Sequence, residues 1–140
     1  MSTQATTVPA RPSRILSIAL WVVQGLLAAF FIFAGYTKLS TPIAQLSQMM
    51  PWTAEYPSLV TFTGLVDLAG GLGVILPALT RIQPRLGVFA ALGLVVLQGL
   101  ALAFHLSRGE MAVAPMNVIL LALSLFVLWG RGKAAPIVSR

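Results

Sequence analysis

Four polar side chains stand out in an otherwise apolar chain: Lys38, Asp67, His105 and Asn117. A carboxylate and an ammonium set in hydrocarbon can hold or exchange a proton, and both can hydrogen-bond a polar ligand. An ionisable group at mid-span costs about 2.5–3.5 kcal/mol on insertion scales, so it faces protein or water and often marks function. Asp67 lies about eight residues inside its apolar stretch, roughly 12 Å deep at 1.5 Å per residue. Val60, Thr63, Gly64, Gly70, Gly71 and Val74 share its side of a helix. The other side carries Phe62, Leu65, Leu68, Leu72, Leu76 and Leu79. Glycine permits close backbone approach and leucine suits lipid, so Asp67 is expected to point into a bundle.

The other apolar stretches carry matching stripes at steps of three and four. Gln24, Ala28, Phe31, Gly35 and Lys38 form one, Gly87, Ala91, Gln98 and His105 another, and Asn117, Leu121, Ser124 and Leu128 a third. One bundle can turn all of them inward, which places Lys38, Asp67, His105 and Asn117 in the same half. Two readings follow. In the first, Lys38 pairs with Asp67, and His105 and Asn117 complete a network that fixes helix register. Such glue is modest, since interhelical hydrogen bonds in membranes average about 0.6 kcal/mol. In the second, the four line a polar pocket where Asp67 holds a proton or a polar headgroup, and their shared depth favours it. Gln24 and Gln98 read as interhelical hydrogen-bonding amides. Gly70-Gly71-Leu72-Gly73 lies inside a span and reads as packing surface, not a phosphate loop. Arg108 and Glu110 read as a solvated loop pair.

These residues need elements to hold them, and composition says which. Of 140 residues, 58% are hydrophobic and 9% charged, with a mean hydropathy of +0.93. A soluble domain carries roughly 25% charged residues, so the chain reads as an integral membrane protein resting in a lipid bilayer. The net charge of +6 comes from scarce acids, and the nine Lys and Arg are scattered, which argues against nucleic acid as a partner. With no cysteine and one histidine, the chain has no thiolate, disulfide or multi-histidine metal site.

Four transmembrane helices are expected, at about 15–39, 59–79, 86–106 and 112–129, each near the ~20 residues that cross a bilayer. The first is too long for a signal peptide. The last two connections are short, so the helices run antiparallel in an all-α bundle. Residues 1–14 are expected to be a disordered tail, 15–132 the membrane domain and 133–140 a C-terminal tail. Arg11, Arg14, Arg81, Arg85, Arg131, Lys133 and Arg140 fall on one side, with only Lys38 and Arg108 on the other. The positive-inside rule then puts both termini in the cytoplasm of a multi-pass cell-membrane protein. Trp21 and Trp129 sit near the inner boundary, and Tyr36, Trp52 and Tyr56 near the outer one. The outer loop, 40–57, has Ile43, Leu46 and Met50 at helical spacing before Pro51. It is either a short helix on the outer surface or an ordinary loop.

Phe31-Ile32-Phe33-Ala34-Gly35-Tyr36-Thr37-Lys38-Leu39 resembles a signature of the DoxX-like membrane proteins. So does Gly64-Leu65-Val66-Asp67-Leu68-Ala69-Gly70-Gly71-Leu72-Gly73, followed by Leu76-Pro77. His105 before a charged turn and the closing Trp129-Gly130-Arg131 also fit, so the resemblance covers about 15–132. Many members have Glu at the position of Asp67, which keeps the charge and adds one methylene. The family takes its name from a thiosulfate:quinone oxidoreductase of the respiratory membrane, and other members are linked to oxidative-stress or quinone-resistance operons. The resemblance therefore implies a quinone-linked redox system. No flavin, metal or dehydrogenase motif is visible, so any electron transfer needs a redox partner subunit or the substrate's own chemistry. The expectation is a binding or accessory subunit, with quinone or lipid as ligand, more than a self-sufficient enzyme. Its rivals are a purely structural partner of a larger complex and a small carrier or proton conduit through Asp67, His105, Gln98 and Gln24. The conduit has one acid and no partner for it in the inner half.

Overall fold

The computed structural model describes residues 13–139. Apart from Ser13 and Arg14, the expected N-terminal tail lies outside the described residues, as does Arg140. Helix α1 spans Arg14–Ser40, α4 Pro57–Thr80, α5 Arg85–Ser107 and α6 Ala114–Trp129, with the short α2, Ile43–Met49, and α3, Trp52–Glu55, between α1 and α4. One π-helical turn, Gly130–Ala134, extends α6. Among the described residues, four helices are long and apolar enough to cross a membrane, the last counted through Ala134. Helix α1 packs along α4, α4 against α5 and α5 against α6, which returns to α1. The result is an antiparallel all-α bundle.

Proline sets most of the boundaries. The residue before a proline is pushed out of helical geometry, and Thr41, Met50 and Tyr56 all take non-helical ψ ahead of Pro42, Pro51 and Pro57. Pro57 then opens α4 at its first position, where a missing N–H costs nothing. The turn from α4 to α5 uses two left-handed residues, Arg81 and Gln83. The turn from α5 to α6 uses Gly109 at φ 73°, where the absence of Cβ removes the penalty.

Between the long helices lies a core of Leu27, Phe31, Val74, Ala91, Leu94, Leu120 and Val127. Phe62, Leu65, Leu72, Leu76 and Leu79 of α4 are exposed to what would be lipid, as the sequence pattern expects, but Leu68 is half-buried against Gly35 of α1. In α6 the buried residues are Leu120 and Val127 alongside Asn117 and Ser124, while Leu121 and Leu128 are only half-buried. Both sets satisfy helical spacing with Asn117 and Ser124, and the residues flanking that polar pair are apolar on either side, so nothing in the pattern chooses between them.

The segment between α1 and α4 is helical and folds back on the bundle. Leu46, Trp52 and Val60 form a second core with Ile43, Met50, Leu59 and Phe104 around it. Trp52 is only 6% exposed. It is a core residue of this cap, not the headgroup-layer aromatic its position in the chain suggests, while Tyr36 and Tyr56 do stand exposed. The end of the bundle under α2 and α3 is the cap end; the other, carrying both chain termini, is the terminal end.

Candidate functional site

Glycine brings α1 and α4 together tightly enough for their charges to meet. A Cβ on Gly35 would lie 2.7 Å from the Gly64 carbonyl oxygen and 2.9 Å from the Leu68 nitrogen. One on Gly71 would lie 3.0 Å from the Ile32 nitrogen and 3.1 Å from the Ala28 carbonyl. Both contacts are with backbone, which cannot move aside. Gly64 faces Lys38 and Leu39, and Gly70 faces the Leu94 side chain of α5. The glycine side of α4 is thus a packing surface against two helices.

Above this contact Lys38, two residues from the end of α1, reaches down its neighbour. Its Nζ donates to Asp67 Oδ2 at 2.9 Å and to Thr63 Oγ1 at 3.3 Å. Thr63 Oγ1 donates in turn to the Leu59 carbonyl at 2.8 Å, which leaves its lone pairs for the ammonium. The Trp52 ring of the cap stands 5.7 Å from Nζ, within cation–π range. Asp67 is 3% exposed and the Lys38 side chain 15%. Among the described residues, Lys38 is the one hydrogen-bond partner of the Asp67 carboxylate, through Oδ2.

His105 and Asn117 take other partners. Asn117 Nδ2 donates to Gln98 Oε1 at 2.8 Å, a buried bond joining α6 to α5. His105 Nδ1 lies 3.5 Å from Glu110 Oε1 and makes no hydrogen bond among the described residues. The four polar residues thus form a Lys38–Asp67–Thr63 group, a Gln98–Asn117 amide pair and a separate imidazole, and no direct bond links the three. Stripe and depth fix which face of a helix a residue occupies, but not which neighbour that face meets.

Arg108 and Glu110 do pair in the half-exposed turn, and the pair has a third member. Arg108 Nη1 and Nη2 grip both carboxylate oxygens of Glu55 at 2.5 and 3.2 Å, and its Nε donates to Glu110 at 2.6 Å. The guanidinium also lies 5.5 Å from the Phe104 ring centroid. This fork ties α3 to the α5–α6 turn and closes the cap. The Arg108 hydrogen bond holds the Glu55 carboxyl below its ordinary value, outweighing desolvation, with the Arg108 charge adding to it. Hydrogen bonds to Glu55 and Glu110 in turn hold Arg108 more firmly protonated than usual.

Gln24 is indeed interhelical, and it leads to a residue whose sequence position hides its setting. Its Nε2 donates to the Val74 carbonyl at 2.7 Å, three residues before Pro77 within α4. Its Oε1 accepts from Arg131 Nε at 2.7 Å. Arg131 is 7% exposed, donates to the Ala135 carbonyl at 3.0 Å and stacks 5.1 Å from the Trp21 ring centroid. In the sequence Arg131 is one more basic residue at a span end. The π-helical turn is what swings it inward, and the four consecutive residues Gly130-Arg131-Gly132-Lys133 give little sign of that.

Among the described residues no three His, Cys, Asp or Glu side chains come together as a metal site needs. No curated protein and no solved structure matches the chain significantly. The model of the DoxX-like family matches residues 22–127, from within α1 to near the end of α6. That stretch contains Gly35, Lys38, Gly64, Asp67 and the Gly70–Gly71 surface, the residues that build the α1–α4 contact. The chain therefore belongs to the DoxX-like family.

Proposed function

We propose that this DoxX-like protein is a small binding or accessory subunit of a quinone-linked redox system of the cell membrane. In this reading both termini are cytoplasmic and the Lys38–Asp67 pair lies in the outer half. The observation that carries it is a carboxylate buried in an apolar bundle whose one partner is a single ammonium, engaging one of its two oxygens. Satisfying a structural ion pair usually takes further hydrogen bonds to the remaining lone pairs. Here Asp67 Oδ1 stays available to a ligand hydroxyl, and Lys38 Nζ can donate to a ligand carbonyl. Quinone and quinol present those two groups. Trp52 offers a flat face beside the ammonium. The chain's own residues bind, orient and exchange a proton, while electrons come from a partner subunit.

Titrating a short-chain ubiquinone into the purified protein in nanodiscs, followed by Trp52 fluorescence, tests this directly. Saturable quenching that is lost in Trp52→Phe and weakened about tenfold in Asp67→Asn, the size of one charge-assisted hydrogen bond, is expected. Quenching equal in Asp67→Asn and the parent would refute it.

A second reading has its own support. Lys38 donates to both Thr63 and Asp67 directly above the Gly35–Gly64 contact, as a register lock would. The protein would then be a structural partner in a larger membrane complex, and Asp67→Asn would lower stability without touching ligand binding. A proton conduit has least support. Gln24 is engaged with Val74 and Arg131, and Gln98 with Asn117.

A further inference from the structure

The terminal end holds a cavity of about 280 Å³. Its walls include Ala78, Val88 and Ile137, and Gln24, Arg85, Arg131 and Ser139 bring polar groups to it. A shallower cavity beside it shares Pro84 and Arg85 and adds Arg81. Among the described residues, no carboxylate lines either one. Arg131 is more than nine-tenths buried, yet its Nη2 is a buried donor with no hydrogen-bond partner among the described residues. Its Nε and Nη1 are held by Gln24 and Ala135, so the guanidinium is fixed while one donor stays open. Leaving a buried donor unsatisfied is costly, and more so for a charged group. A group that persists in this state is set for an acceptor supplied from outside.

From this geometry we infer that the terminal end carries an anion site for a phosphate ester, with Arg131 at its floor and Arg85 and Arg81 at its rim. Guanidinium suits phosphate oxygens, to which it donates in a fixed fork. The apolar walls suit the glycerol and upper acyl carbons of a phospholipid. With the termini cytoplasmic, the site opens to the leaflet where anionic lipids are concentrated. The inference stands apart from the Lys38–Asp67 reading, because it uses other residues at the opposite end of the bundle.

The test compares the full-length protein in nanodiscs of phosphatidylglycerol or phosphatidylcholine, and in neutral detergent titrated with inorganic phosphate. Melting temperature and native mass are the readouts. Phosphatidylglycerol should stabilise the protein and remain bound in native mass spectra, where phosphatidylcholine does not. Arg131→Gln should weaken that binding about tenfold. Because Arg131 also holds Gln24, two further variants guard against a folding defect. Arg85→Gln removes an exposed rim charge, and Ala78→Leu narrows the cavity without changing charge. Both should weaken binding, while Asp67→Asn keeps it even if quinone binding fails. Protection by inorganic phosphate equal to that by lipid assigns the site to a free phosphate ester. Absence of both, or binding indifferent to Arg85→Gln and Ala78→Leu, overturns the proposal.

Discussion

Asp67 and Lys38 depend on one another, and that dependence is measurable. Removing one member of a buried pair leaves the other as an uncompensated charge, which costs about 3–5 kcal/mol, while replacing both by apolar groups is often neutral. Lys38→Met should therefore destabilise the bundle strongly in a detergent melt, and Lys38→Met with Asp67→Leu should recover most of the loss. Two additive losses would show that the two side chains do not act as a pair. The inward direction of Asp67 is legible in the sequence because α4 has a glycine side and, Leu68 apart, an exposed leucine side. The partners of His105 and Asn117 are not. Their spacing gives a face, but the Gln98–Asn117 bond depends on how α5 and α6 are rotated against each other. Arg131 escapes for a different reason: a basic residue at a span end already has an explanation in the positive-inside rule.

Between helices, contact distance decides more than charge. Gly35→Leu forces a side chain into the Gly64 carbonyl and the Leu68 backbone, so α1 and α4 must separate. It should abolish a monodisperse fold in detergent, whereas Gly25→Ala, with nothing within 4 Å of its Cβ, should leave the melt unchanged. Equal behaviour of the two variants would contradict this packing. At the cap, the Glu55–Arg108 fork makes stability depend on pH. The folded carboxyl lies below its ordinary value of 4.5, so the bond stabilises above that value and its contribution fades as pH falls through the lowered one. The melting difference between parent and Glu55→Gln should be small at pH 7, as for an exposed pair, and vanish in acid. A difference that grows in acid would have the wrong sign. The helix boundaries are legible because Pro42, Pro51 and Pro57 mark them locally. That Ile43, Leu46 and Met50 turn toward the bundle is not, since an amphipathic face does not say whether lipid or protein covers it.

Over the whole molecule, the four-helix architecture follows from apolar run length and short connections, and the family match spans most of the bundle. Orientation rests on basic residues, and the lack of native cysteine makes it easy to probe. Gln48→Cys in the cap should react with an impermeant maleimide on intact cells, and Val138→Cys only after permeabilisation. The reverse pattern would invert the proposed topology. The two polar centres, Lys38–Asp67 near the cap and Arg131 near the termini, place a distinct polar cluster at each end of the bundle. The measurement that bears most directly on function is native mass spectrometry of the protein extracted from its own membrane in mild detergent. The quinone reading predicts a quinone-sized adduct that disappears in Asp67→Asn and survives in Arg131→Gln. A chain carrying no such adduct, or one equally present in Asp67→Asn, would contradict it and leave the buried pair as helix glue.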